Sequence, residues 1–144
     1  MLKVIARENP TLCFFLGDGE RDLKRVQGRY PALPFYAVRG NCDPHSALSS
    51  ALTCVVGGVC IFAAHGHLYT VKYEPELDSL AAAAQEAGAS LALFGHTHRA
   101  CLEVRSGITF LNPGSIGHRT RPSYAVVLLD GERQFSAKLK TADP

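Results

Sequence analysis

Leu91-Ala92-Leu93-Phe94-Gly95-His96-Thr97-His98 decides how the rest of this chain is read. Four apolar residues form a short run with no polar face, the pattern of a strand buried on both sides. Gly95 then lets the backbone turn sharply, and two histidines follow at once. Residues two apart on an extended chain share a side, so His96 and His98 are expected to present both imidazoles to one space. The same order, an apolar run and then a metal-ligand side chain, occurs three times upstream. Phe15-Leu16 leads to Gly17-Asp18, Ala37-Val38 leads to Gly40-Asn41, and Phe62-Ala63-Ala64 leads to His65. Sites in open α/β sheets gather outside the carboxyl ends of strands. Four such ends are expected to converge on one crevice.

Working outward, helical and extended patterns alternate in the first part of the chain. Leu2, Ile5 and Ala6 fit one face of a helix that Asn9-Pro10 stops. Thr11 to Leu16 reads as a buried strand, Asp22 to Tyr30 as a helix, and Phe35 to Val38 as another strand. Thr53 to Val56 and Val59 to Ala64 form a hairpin around Gly57-Gly58. Pro75 opens a helix at its first position, with Leu77, Leu80, Ala81 and Ala84 as its apolar stripe and Gly88 at its end. Ala100 to Arg105 with Ile108 to Leu111 make a hairpin over Ser106-Gly107. Tyr124 to Leu129 with Gln134 to Leu139 make the last, over Asp130-Gly131. The expected architecture is one α/β domain over residues 1–144, with two packed sheets and helices outside.

Composition narrows the function. The chain has 144 residues, 47% of them hydrophobic, which supports a core and argues against disorder. Fifteen basic and thirteen acidic side chains give a formal charge of +2, too balanced for nucleic-acid binding by bulk electrostatics. The longest near-apolar stretch, Leu52 to Ala64, is too short to span a bilayer. Five cysteines form no Cys-x-x-Cys pair, so reduced, buried thiols in a soluble cytoplasmic protein are expected.

The ligand types constrain the metal. Asp, Asn and His without thiolate favour manganese, iron or zinc over a cysteine-rich structural site. A carboxylate such as Asp18 can bridge two cations. Two metals about 3.5–4 Å apart activate a water and clamp a phosphoryl oxygen, the two actions that phosphate-ester hydrolysis needs. Taken singly, each signal has an ordinary reading. Gly-Asp and Gly-Asn steps are common turns, and His65 and His67 could be a polar strand end. Asp43 and His45 read as turn or surface groups, Cys54 and Cys60 as packing residues, and Ser115 as a loop residue.

Gly17-Asp18-Gly19, Gly40-Asn41-Cys42-Asp43, His65-Gly66-His67, Gly95-His96-Thr97-His98 and Asn112-Pro113-Gly114-Ser115 stand in this order. The series resembles the calcineurin-like metallophosphoesterases, from about Thr11 to Tyr124. The Gly-Asn-Cys-Asp form and the small size resemble its compact phosphodiesterase branch, which includes the scaffold subunit of the retromer coat. The resemblance implies a four-layer α/β/β/α fold, a two-sheet sandwich flanked by helices. It implies two divalent metal ions, manganese first, with zinc, iron or nickel as alternatives. Asp18 would bridge them, Asn41, His65 and His96 would complete one site, and His98 would serve the other. A metal-bound hydroxide would hydrolyse a small phosphodiester or phosphomonoester; no membrane is expected, and nucleic acid is not indicated, although cyclic nucleotides, nucleic-acid ends and small phosphodiesters are not separated. A homo-oligomer is compatible with this reading.

Asn41 and His67 are the catalytic candidates. Cys42 stands where many relatives have a histidine, which makes it a poor general acid and leaves it as a substrate contact. His67 is then the candidate to protonate the leaving oxygen. Arg119, with Arg121, could meet a substrate phosphate, with a solvated loop as the plainer reading of both. The family also opens with a strand ending in Asp-x-His, which supplies two ligands to the first metal. No such motif precedes Gly17-Asp18. A strand, turn and half helix come to roughly 20 residues, so the first strand either lies upstream of Met1 or is lost. In the latter case the first metal keeps Asp18 and His98, and the fold serves as a catalytically impaired scaffold or protein-binding module.

Overall fold

The structure is a computed structural model, and it describes residues 1–142. Helix α1 (Leu2–Glu8) ends at Asn9, which takes the left-handed conformation that asparagine tolerates (φ 45°). Strand β1 (Cys13–Phe15) follows, then α2 (Glu20–Arg29) and β2 (Phe35–Ala37). Acidic Glu20 and Asp22 lie in the first turn of α2 and Arg29 in the last, each at the helix end its charge favours. Leu23 and Val26, three apart, are its buried face. Strands β1 and β2 pair in parallel, as a strand–helix–strand unit does.

The middle of the chain builds a five-stranded sheet in the order β3-β4-β5-β7-β6. Its members are β3 (Ala51–Val56), β4 (Val59–Ala64), β5 (Leu91–Leu93), β6 (Cys101–Arg105) and β7 (Ile108–Asn112). Strands β4, β5 and β7 run parallel, and β3 and β6 close the edges antiparallel. The two edge hairpins turn as expected. Gly57 and Gly58 both have positive φ, as do Ser106 and Gly107, which matches the twist of the flanking strands. Strands β8 (Ser123–Leu129) and β9 (Phe135–Thr141) form the last hairpin. Its loop runs from Asp130 to Gln134 instead of turning tightly on Asp130-Gly131. The Asp130 carboxylate accepts from the Glu132 and Gln134 amides (2.7 and 3.1 Å) and so stabilises the wider loop.

One face of the five-stranded sheet packs Phe62, Phe94 and Phe110 against Leu80 and Ala84 of α3 (Asp78–Glu86). The other face packs Ile61, Leu91, Leu93 and Leu111 against Phe14 of β1, Val127 of β8 and Phe135 of β9. The layers are therefore helix, sheet, strand pairs and outer helices, the expected four-layer α/β/β/α order. The second layer differs from a single sheet, because among the described residues β1 pairs only with β2 and β8 only with β9. Side chains join helix α1 to the β8/β9 pair. Arg7 of α1, which leads into β1, donates to Tyr124 Oη (2.6 Å), and Tyr124 and Lys140 donate to Glu8 (2.6 and 2.8 Å).

Two expectations need correction. Helix α3 starts at Asp78, not at Pro75, because Leu77 takes a left-handed conformation (φ 56°). Residues 74–77 form a turn closed by Leu77 N–H to Glu74 O (3.0 Å), and the Glu74 carboxylate then accepts from the Ser79 amide and hydroxyl (both 2.8 Å). The thiols are also less buried than expected. All five cysteines are free, four are half-buried and Cys42 is exposed. Cys13, Cys54 and Cys101 lie on strands with an open edge. Among the described residues no helix is long and apolar enough to cross a membrane.

Leu91 is fully buried at the centre of the sheet, whereas Val104 on edge strand β6 is 69% exposed. Leu91→Ala is expected to cost about 2–5 kcal/mol and Val104→Ala about 0.5 kcal/mol. The shift of the urea midpoint at unchanged slope measures both.

Candidate metal centre

The four strand ends do meet. After β1 the backbone runs through three consecutive left-handed residues, Gly17 (φ 90°), Asp18 (φ 60°) and Gly19 (φ 114°). This curl brings Asp18 against the loop after β2. A Cβ on Gly17 would lie 2.6 Å from Gly40 N and 2.8 Å from His65 Nδ1, and a Cβ on Gly40 would overlap the Asp18 carboxylate. Both positions therefore need glycine for close approach as well as for turning. His65 follows β4 directly. His96 sits in a three-residue turn closed by Thr97 N–H to Gly95 O (2.7 Å), at φ 66°.

The centre is organised by His65, which is 2% exposed. Its Nδ1 lies 2.6 Å from Leu16 O. A carbonyl can only accept, so Nδ1 carries a proton, and in the neutral tautomer that this selects, Nε2 holds a lone pair. That lone pair faces Asn41 Oδ1 at 3.1 Å, His96 Nδ1 at 3.1 Å and Asp18 Oδ2 at 3.3 Å. Asn41 turns its amide nitrogen toward Cys42 Sγ (3.5 Å), which leaves its oxygen for the cluster. Two oxygens and two imidazole nitrogens thus converge, and when His96 carries its proton on Nε2 none of the four atoms has a proton to give. Such a set repels itself unless a cation shares it. The ligand atoms of Asp18, His65 and His96 all lie within 4.8 Å of one another. Hard and borderline donors in this arrangement fit a divalent metal. Burial, then the charge of Lys72, lowers the pKa of His96 below the ordinary histidine value, so its ring is neutral and able to ligate at pH 7.

Two polar side chains hold the loops that carry these donors. Buried Asn112 donates to Gly95 O and Thr97 Oγ1 (both 3.0 Å) and accepts from Gly114 N–H (2.9 Å). It thereby fixes the turn on which His96 stands, which agrees with a structural role for residues 112–115. Asp43 accepts from four backbone amides, those of Asp18 (2.8 Å), Gly19 (3.0 Å), Glu20 (3.2 Å) and Gly40 (3.1 Å). Burial pushes its pKa up, but these four bonds outweigh that and hold the carboxyl below its usual range. Asp43 is therefore not the turn or surface group that its sequence context suggests.

The remaining candidates are placed as follows. The stretch that bears His96 and His98 is a turn, not the extended chain on which the two would share a side. Both have left-handed backbones (φ 66° and 57°) rather than extended ones, and His98 is exposed and outside the cluster. His67 stands beside it, with ring centroids 5.3 Å from His65 and 6.1 Å from His96. Its Nδ1 is buried without a hydrogen-bond partner. Burial, then the neighbouring His65 and Arg39, lowers its pKa. Cys42 is exposed, and the charge of Asp18 is the main cause that pushes its thiol pKa up. Arg119 and Arg121 lie exposed on the loop before β8. The structure adds Arg39 and Lys72, whose charges act on His67, His96 and Cys42. No motif marks either residue.

Comparison with known proteins agrees with this geometry. The family model of the calcineurin-like phosphoesterase superfamily domain matches residues 1–134. A probable metallophosphoesterase of Bacillus subtilis, YsnB, is 35% identical over 138 residues, which is 91% of this chain and 78% of that protein. A conserved Streptococcus pneumoniae protein, a predicted phosphoesterase, superposes with a TM-score of 0.77 at 29% identity, over 96% of this chain and 79% of the other. An archaeal phosphodiesterase superposes with a TM-score of 0.68 at 18% identity, over 96% and 88% of the two chains, and at that identity shows the fold alone. With most of its length matched in sequence, and with the donors gathered at its strand ends, the chain belongs to the calcineurin-like phosphoesterase superfamily.

Proposed function

We propose that the protein is a cytoplasmic phosphodiesterase that hydrolyses a small phosphodiester with two divalent cations, manganese by preference. The observation that carries this reading is the convergence of Asp18 Oδ2, Asn41 Oδ1 and His96 Nδ1 on the lone pair of His65 Nε2. Asp18, Asn41, His65 and His96 would hold one cation, and Asp18 with His98 would serve the other. The bound metals would supply a nucleophilic water at neutral pH and positive charge for the phosphoryl oxygens.

The chain's own residues do the rest. Leu16 O keeps the His65 proton on Nδ1 and so keeps Nε2 free. His67, with its lowered pKa, is a neutral ring at pH 7. It can place a hydrogen bond at the leaving oxygen more readily than it can act as a cationic acid. Cys42, with its raised pKa, keeps its proton and stays a thiol at the rim of the site. Arg39 and Lys72 contribute positive potential beside the cluster, where a phosphate would approach.

A second reading, a protein-binding module with at most one cation, is favoured by the position of His98, exposed and outside the cluster. Metal content separates the two. Two manganese ions per chain by elemental analysis, with one lost in His98→Ala, are expected under the first reading. One ion per chain, no turnover and a stable partner complex would establish the second.

Hydrolysis of bis(4-nitrophenyl) phosphate is expected to require manganese and to stop on chelation. His96→Ala is expected to lower the rate at least about 100-fold, since disturbing even the supports of metal ligands costs 10–100-fold. An unchanged rate in that variant sinks the assignment.

A further inference from the structure

We infer that Asp43 is a positioning residue for the metal centre, acting through the backbone of Asp18. The inference rests on the metal-centre reading above and adds to it a residue that makes no contact with a cation.

Asp18 is a non-glycine residue held at φ 60°, a conformation that aspartate tolerates better than most side chains but that still costs free energy. Asp43 holds it there. The successive amides of Asp18, Gly19 and Glu20 all point at its two oxygens. This is the geometry of an anion nest, filled by a carboxylate from 25 residues along the chain. The Gly40 amide takes a fourth position from the other side, so the loop after β1 and the loop after β2 share one anion. The tie is reciprocal. Cys42 N–H donates to Asp18 Oδ1 at 2.9 Å, so each loop receives the carboxylate of the other. With Oδ1 occupied in this way, Asp18 Oδ2 is the oxygen turned toward His65 Nε2.

A carboxylate has about four lone-pair positions, and those of Asp43 are matched by four amides. It has none to spare for a cation, which rules it out as a ligand. Nor does it serve α2 alone. Glu20 opens that helix, but the Asp18 and Gly40 amides lie outside it. The arrangement fits a clamp between the two metal-bearing loops.

The test is Mn²⁺ titration of the intact protein, followed by the electron paramagnetic resonance of the free ion. In Asp43→Asn the amide group keeps the shape but presents N–H to backbone N–H. The affinity is expected to fall about 10–100-fold, as for other supports of metal ligands, with the far-ultraviolet circular dichroism retained. Leu23→Ala is the control. It removes a buried side chain of α2, 2% exposed, and leaves in place the backbone bond from Leu23 N–H to Gly19 O (3.2 Å) beside the nest. It is expected to lower the melting temperature and leave Mn²⁺ affinity unchanged. Wild-type affinity in Asp43→Asn overturns the proposal, and so does an equal loss in Leu23→Ala, which would make the effect general destabilisation. Should Asp43→Asn not fold, Asp43→Ser, with one acceptor left for the nest, is read in the same way. Undiminished affinity there overturns the proposal too. If the unsubstituted protein binds no Mn²⁺, the metal-centre reading falls and takes the clamp with it.

Discussion

A buried imidazole that gives its only proton to a backbone carbonyl is left with a lone pair to satisfy. Neutral His65 is in that state. Its Nδ1 is committed to Leu16 O, and its Nε2 meets two oxygens that cannot donate and the Nδ1 of His96, which can ligate only when the His96 proton is on Nε2. A hydrogen-bond network optimised for its own sake would alternate donors and acceptors. This cluster stacks acceptors instead. Left so, the site costs stability, and that cost marks it as a place prepared for a positive ion. Most other features of the strand ends follow from delivering three partners to that one lone pair.

The sheets do the delivering. Strands β4 and β5 are adjacent and parallel, so His65 and the turn bearing His96 leave the sheet side by side at the same end. Strands β1 and β2, parallel in the neighbouring layer, bring Asp18 and Asn41 to meet them. Glycines at 17 and 40 let the two loops touch. The neutral state of the rings follows from the same packing, because burial and the nearby cations disfavour protonation of His67 and His96.

Much of this is legible in the sequence, for local reasons. Short apolar runs ending in Gly-Asp, Gly-Asn and Gly-His announce strands that stop at ligands, and paired glycines or Ser-Gly announce hairpins. What escapes the sequence is long-range. Asp43 reads as a turn residue because three residues from Gly40 it could be one. Nothing local says that its carboxylate reaches the amides of residues 18–20. The extended backbone expected through His96 and His98 fails for a related reason. Asn112, at the end of β7 and 15 residues beyond Thr97, holds Gly95 and Thr97 in a tight turn. The start of α3 escapes because Glu74 caps it from outside the helix. In each case a polar side chain outside the element concerned overrides a sound local expectation.

That pattern also explains how loops so poor in apolar contacts stay in place. Strands β1 and β2 are three residues each and form a sheet of two, which in isolation is marginal. Their loops hold Asp18 in a conformation that costs about 1–3 kcal/mol. Packing beneath them anchors Phe14 and Leu16 against the large sheet, but it stops where the ligands begin. Beyond that point the restraint is polar. Hydrogen bonds to a charged acceptor contribute about 1.5–3 kcal/mol each, and Asp43 accepts four. Even at the low end of that range they outweigh the strain of Asp18. Because the bonds join two loops, the restraint is shared: neither loop can relax without releasing the other. The half of the site that stands on the small β1/β2 sheet is thereby restrained where a metal needs fixed distances, and the other half stands on β4 and β5 of the large sheet.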